Sequence, residues 1–152
     1  MEINGPERYS LILNSESFSV RGPNGISKFV ELAASYKPKL YVVSVNENPI
    51  YIGITKQPIR KRLNYGWTAG GHAGYWGYAW RDKFDKVNLD IWYHMDPPEE
   101  NSMLDLETIE AEVVFMIRSS GQWPQYQTEI HFHSSKPFHR LIAGKIVSRY
   151  RL

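Results

Sequence analysis

The chain has no cysteine among its 152 residues. That excludes disulfides and thiolate-bound zinc, and it fits a reducing cytoplasm. No apolar run approaches the ~18 residues that mark a membrane span. The opening MEINGPERYS has no basic stretch followed by an apolar one, so no secretory signal is expected. There is no internal repeat, low-complexity tract, P-loop or dinucleotide glycine fingerprint. What remains is one domain with an ordinary hydrophobic content of 42%, long enough to bury a proper core.

Net charge is only +2, but the charges are unevenly spread. Segment 96–112 carries seven acids and no Lys or Arg, leaving 18 basic against 9 acidic residues elsewhere. A basic body with one acidic segment suits an enzyme that binds a polyanion and keeps its carboxylates where a cation is needed. An acidic surface loop beside an unremarkable body gives the same count.

Residues 39–63, KLYVVSVNENPIYIGITKQPIRKRL, organise the rest. Two short runs rich in β-branched residues flank an Asn-Glu-Asn-Pro break, which predicts an antiparallel hairpin. Pro58 then opens a helix, with Ile59 and Leu63 on one face at i, i+4. Tyr41 and Tyr51 thus stand on neighbouring strands, with Arg60, Lys61 and Arg62 directly after them.

The flanks divide into recognisable segments. Residues 18–20 predict a short strand, and Ile26, Phe29, Val30 and Ala33 give a helical stripe over 26–36. The glycine- and aromatic-rich stretch 65–80 is too rich in glycine for a stable helix. It is either a compact loop with rings inward or a set of rings that stack on bases. Residues 87–93 alternate as a half-buried strand, which Pro97-Pro98 closes off. Leu106, Ile109, Val113 and Ile117 mark a helix over 103–118 whose first half holds Asp105, Glu107 and Glu110, acids that suit its dipole. Glu129, His131 and His133 share one strand face, either a polar face or a set able to hold zinc. A final helix around Phe138, Leu141, Ile142 and Ile146 ends in a basic tail.

Tyr41 with Leu40, the intact Tyr51-Ile52-Gly53 triplet, and the arginine helix together resemble the signature of the GIY-YIG nuclease superfamily. Lys39 stands where the family's first triplet has glycine. The resemblance covers about residues 39–127, with 1–38 as an N-terminal and 128–152 as a C-terminal extension of a single domain. It implies an α+β fold with a small antiparallel three-stranded sheet flanked by helices. It implies a metal-dependent endonuclease acting on DNA, and the lack of cysteine and of a secretory signal makes the cytoplasm the expected compartment. Tyr41 then draws a proton from water, Tyr51 positions the phosphate, and Arg62 stabilises the phosphate charge. One glutamate of the later helix holds Mg²⁺ or Mn²⁺. Glu112 is the expected ligand, with Glu110 the other candidate. Gly53, Gln127, Tyr65 and His72 are expected around the substrate, with Gln127 after Pro124 where the family has asparagine. A nucleic-acid-binding module on the same fold, without catalysis, is the alternative reading.

Overall fold

The computed structural model describes residues 1–14, 16–96, 101–127 and 129–152. Alternating apolar residues build five strands: β1 (Ile3–Leu13), β2 (Phe18–Arg21), β3 (Lys39–Val45), β4 (Asn48–Thr55) and β5 (Lys86–His94). They form one antiparallel sheet in the order β2-β1-β5-β3-β4. Three helices join them: α1 (Ile59–Thr68), α2 (Ser102–Ser119) and α3 (Pro137–Val147).

The three-stranded sheet expected from the resemblance is corrected by this topology. Strands β5, β3 and β4 are adjacent, but the sheet does not stop at β5. Its far edge exposes backbone donors and acceptors, and β1 pairs with them from Ile3↔His94 to Ile12↔Lys86. Strand β2 then pairs with β1 from Ser10↔Arg21 to Leu13↔Phe18. The N-terminal segment is therefore sheet, with Tyr9, Leu11 and Leu13 turned into the core.

The helix expected over 26–36 is absent too. That segment holds only the 3₁₀ turn Glu31–Ala34, with another, Pro23–Gly25, just before it. Val30 is extended and Glu31 has φ +52°, so the backbone leaves helical geometry inside the apolar stripe. Nor do residues 129–133 form a strand. Glu99, Glu100 and the expected strand stop at Pro97-Pro98 lie outside the described residues.

Strand alternation gives the sheet two apolar faces, each covered. On one, Tyr9, Tyr41, Val43, Leu89 and Ile91 meet Ile59, Leu63 and Trp67 of α1, with Tyr78 and Trp80 of the following loop. On the other, Leu40, Val42, Ile52 and Trp92 meet α2 and α3. The β3–β4 turn carries Asn46 and Glu47 at φ +51° and +65°, the pair of positive angles that a two-residue hairpin turn requires. Among the described residues, no helix is long and apolar enough to cross a membrane.

Candidate active site

The β3–β4 pairing sets Tyr41 opposite Gly53. A Cβ built on Gly53 would lie 2.5 Å from the Tyr41 hydroxyl, so the glycine leaves room for the ring to lie across the neighbouring strand. The Tyr41 hydroxyl meets that of Tyr78 at 2.9 Å. Tyr78 in turn lies on Gly66 of α1, where a Cβ would come within 2.0 Å of its ring. Each member of this hydroxyl pair is thus seated on a glycine. Tyr51 closes the group, its ring centroid 6.1 Å from Tyr41 and 5.5 Å from Tyr78.

Arg62 projects from α1 onto these rings. Its Nη1 donates to the Tyr75 hydroxyl at 3.1 Å, and its guanidinium carbon stands 5.0 Å from the Tyr78 centroid. It also stands 5.8 and 5.6 Å from Tyr65 and Tyr75, which are stacked on each other at 5.0 Å and 12°. Gln57, Lys61, Arg62, Tyr65 and Tyr75 line a cleft of about 530 Å³. Tyr41, only 1% exposed, lies behind this cleft.

Burial, reinforced by the charge of Tyr78, pushes the Tyr41 hydroxyl pKa well up, and Arg62 pulls it back only in part. Burial also raises Tyr51 and Tyr78, again against the pull of Arg62. The phenols therefore hold their protons at neutral pH. Burial works against the charge of Arg62, but the oxygens of Tyr41 and Tyr78 and the hydrogen bond to Tyr75 favour it, and its pKa is raised. The guanidinium stays charged in this setting.

Lys39, at the position of the family's first glycine, is buried and donates from Nζ to the carbonyls of Ser35 and Gln57 at 2.8 and 2.9 Å. Burial lowers its pKa to about 8. It fixes the loop that leads into α1 and so the direction of Arg62.

On α2 the two candidate glutamates differ in their surroundings. Glu110 is buried, and its charge is felt at Tyr51. Burial first, then Glu107 and Glu129, raises its carboxyl pKa to about 8. Helix α2 covers the opposite sheet face from the tyrosines and contacts β4, the edge strand. Glu112 lies two residues on, roughly 200° round the helix, and is turned away from Glu110. The sequence held a signal for this. Glu110 follows Leu106 by four and precedes Val113 by three, in line with the buried stripe.

The remaining expected residues fall in different places. The Gln127 side-chain oxygen accepts from the Ile52 N–H at 2.8 Å, and the Tyr126 N–H donates to the Ile50 carbonyl at 2.9 Å. Gln127 thus braces the outer edge of the strand that bears Tyr51 and Gly53. His72 is exposed in the turn His72–Gly74, outside the cleft lining. His131 pairs with Glu129 at 3.0 Å, while His133 pairs with Glu107 on α2. Among the described residues, no three His, Asp or Glu side chains gather as a metal-holding group. Tyr75 and Tyr78 join Arg62 without having been singled out from the sequence. The one clue was the ring and glycine alternation of 74–78.

Glu110 does have the chemistry for a hard cation. Magnesium commonly uses one or two carboxylates, several waters and the substrate phosphate. A buried carboxyl pushed up by two neighbouring acids is one whose charge a cation would relieve. Comparisons with protein-family models, curated proteins and solved structures find no match to this chain.

Proposed function

We propose that this chain is a cytoplasmic endonuclease that hydrolyses DNA phosphodiester bonds with a divalent cation. The observation that carries the reading is the setting of Arg62. It is a half-buried cation partnered by phenols, with no carboxylate partner among the described residues, on a cleft that also holds Lys61. Such a cation is left available to an anion, and phosphate is the anion that a guanidinium binds by two parallel hydrogen bonds.

In this reading, Arg62 stabilises the charge that grows on the phosphate as water attacks. The water oxygen bonds to phosphorus, one ester P–O bond breaks, and the leaving oxygen takes up a proton. Tyr41 is kept neutral by burial, so it accepts the water's proton only as it passes its own to Tyr78 across their 2.9 Å contact, and Tyr78 gives up its own proton in the same step, so that both phenols finish neutral and the proton ends on the leaving oxygen. Tyr51 holds the phosphate in place. Glu110 would hold Mg²⁺ or Mn²⁺, and the ion when bound would supply charge neutralisation to the phosphate.

One observation favours a binding module without catalysis on the same fold. The Tyr41 hydroxyl is almost fully enclosed. Incubation with supercoiled plasmid separates the two readings. The nuclease nicks it only with Mg²⁺ or Mn²⁺, and Arg62→Ala does not. Salt-sensitive binding without nicking by the parent supports the module. Neither nicking nor salt-sensitive binding overturns both.

A further inference from the structure

The cleft beside Arg62 joins two kinds of surface. Lys61 and Arg62 bring positive charge, and none of its lining residues is an acid. The other part is the stacked pair of Tyr65 and Tyr75. Tyr65 is 56% exposed even though its neighbour covers one face. The pair is fixed in place. Tyr75 accepts from Arg62 through its hydroxyl, its carbonyl takes the Gly71 N–H at 2.8 Å, and its own N–H donates to His72 at 3.0 Å.

A ring held beside a cation is how proteins grip single strands: the base stacks on the ring and the phosphate pairs with the charge. Within a continuous duplex both faces of each base are already taken by its neighbours. Only an unpaired or displaced base can offer a face to Tyr65. We propose that the Tyr65–Tyr75 pair seats one unpaired DNA base beside the phosphate held at Arg62. The substrate class is then single-stranded, branched or frayed DNA rather than continuous duplex. The location of the phosphate rests on the nuclease reading.

The test is metal-free binding of a single-stranded oligonucleotide carrying 2-aminopurine, against the same sequence in duplex, at one salt concentration. The parent quenches the 2-aminopurine and binds the single strand at least about tenfold more tightly than the duplex. Tyr65→Ala weakens single-strand binding by about tenfold or more, the scale of one lost base stack. Tyr65→Phe keeps the ring and restores it. Trp76→Ala removes an exposed ring outside the cleft lining and binds as the parent does. Equal affinity for both forms, or a Tyr65→Ala protein that binds the single strand like the parent, overturns the seat. Mg²⁺-dependent nicking of the single strand, the duplex and the plasmid is measured in parallel. Nicking without strand preference overturns the seat and leaves the hydrolase. A Tyr65-dependent strand preference without nicking supports the seat and overturns the hydrolase.

Discussion

Arg8 and Arg62 both lie against the sheet, and their surroundings differ in one respect. Arg8 forms paired hydrogen bonds with two carboxylates. Nε and Nη2 reach Asp90 at 2.7 and 2.9 Å, and Nη1 and Nη2 reach Glu47 at 2.6 and 2.9 Å. Tyr150 donates to the same Asp90 at 2.7 Å. That network joins β1, β5, the β3–β4 turn and the C-terminal residues, and it engages all three nitrogens of the guanidinium through four of its five N–H donors. Arg62 has phenols instead. A phenol that keeps its proton orients a guanidinium without neutralising it. The first arginine is spent on holding the fold, whereas the second has no carboxylate partner among the described residues.

Replacing each arginine tests that contrast, and the largest effect is expected at Arg62. Arg62→Ala lowers the rate of plasmid nicking by about 10²–10³ while the folded state persists, because a group that acts on transition-state charge is lost. Arg8→Ala does the reverse. It leaves Asp90, 1% exposed, with Tyr150 as its remaining side-chain hydrogen-bond partner. Denaturant unfolding should register a loss of about 2–3 kcal/mol, below the usual cost of breaking a buried pair because Arg8 itself is 39% exposed. Nicking by the protein that remains folded is unchanged. An Arg62→Ala protein that loses as much stability as Arg8→Ala would erase the distinction.

Gly53 sharpens the same comparison from the packing side. Alanine there must displace the Tyr41 ring, since the added carbon would lie 2.5 Å from its hydroxyl. Overpacking of this kind costs about 1–3 kcal/mol. The Tyr41–Tyr78 hydroxyl bond breaks, so Gly53→Ala should reduce nicking beyond its effect on stability, as Tyr41→Phe does. Nicking by Gly53→Ala at the parent's rate would separate the tyrosine pair from the work of Arg62.

Glu110 adds a pH dependence opposite in sign to that of the Arg8 network, whose Glu47 carboxyl is held below its ordinary value by its hydrogen bonds from Arg8. Its folded pKa is raised to about 8, against about 4.3 for an unperturbed glutamate. Between those values the folded chain holds a proton that the unfolded chain has lost. The contribution to stability is full below about pH 4.3 and falls as pH rises towards the folded pKa. Glu110→Gln has no proton to lose, so its advantage over the parent grows from about pH 5 to pH 8, reaching on the order of 1–3 kcal/mol. Mg²⁺ should raise the parent's melting temperature more at pH 8 than at pH 5 and leave Glu110→Gln unmoved. Identical pH profiles for the two proteins would remove Glu110 from the site.

The hairpin was legible in its two β-branched runs around an Asn/Pro break, and α1, β5, α2 and α3 in apolar residues that recur at the period of their own backbone. Strand β1 was not. Gly5 and Pro6 interrupt it, and only Tyr9, Leu11 and Leu13 alternate cleanly. Its pairing with β5 joins residues some eighty positions apart, a relation that no local pattern carries. The helix read into 26–36 failed for the opposite reason: the stripe was present, but positive φ at Glu31 breaks the backbone beneath it. At the site, the hairpin order placed Tyr41, Tyr51 and Gly53 on one face. The greater burial of Glu110 was legible from its place in the apolar stripe of α2, but which sheet strand that side of the helix meets is set by tertiary packing. Tyr75 and Tyr78 lie in a loop without periodicity, and only the folded chain shows which of its rings turn inward.

The smallest effect is expected at Gln127, and it concerns the edge on which the Arg62 region rests. Strand β4 has β3 on one side, and its other side is met by Gln127 and Tyr126. Removing the carboxamide in Gln127→Ala leaves the Ile52 N–H without its partner. Water can reach an edge strand, so the loss should be about 1 kcal/mol or less. Gln127→Asn is shorter by one methylene and should lose the same bond. The more telling measurement is local, because opening need not be uniform across a fold. Amide hydrogen exchange at Ile52 should accelerate in both variants, while the amide of Asp90, in the middle of the sheet beside the Arg8 network, keeps its protection. If both amides lose protection equally, the edge and the centre open as one unit, and the Arg62 region is no looser than the part of the sheet that Arg8 holds together.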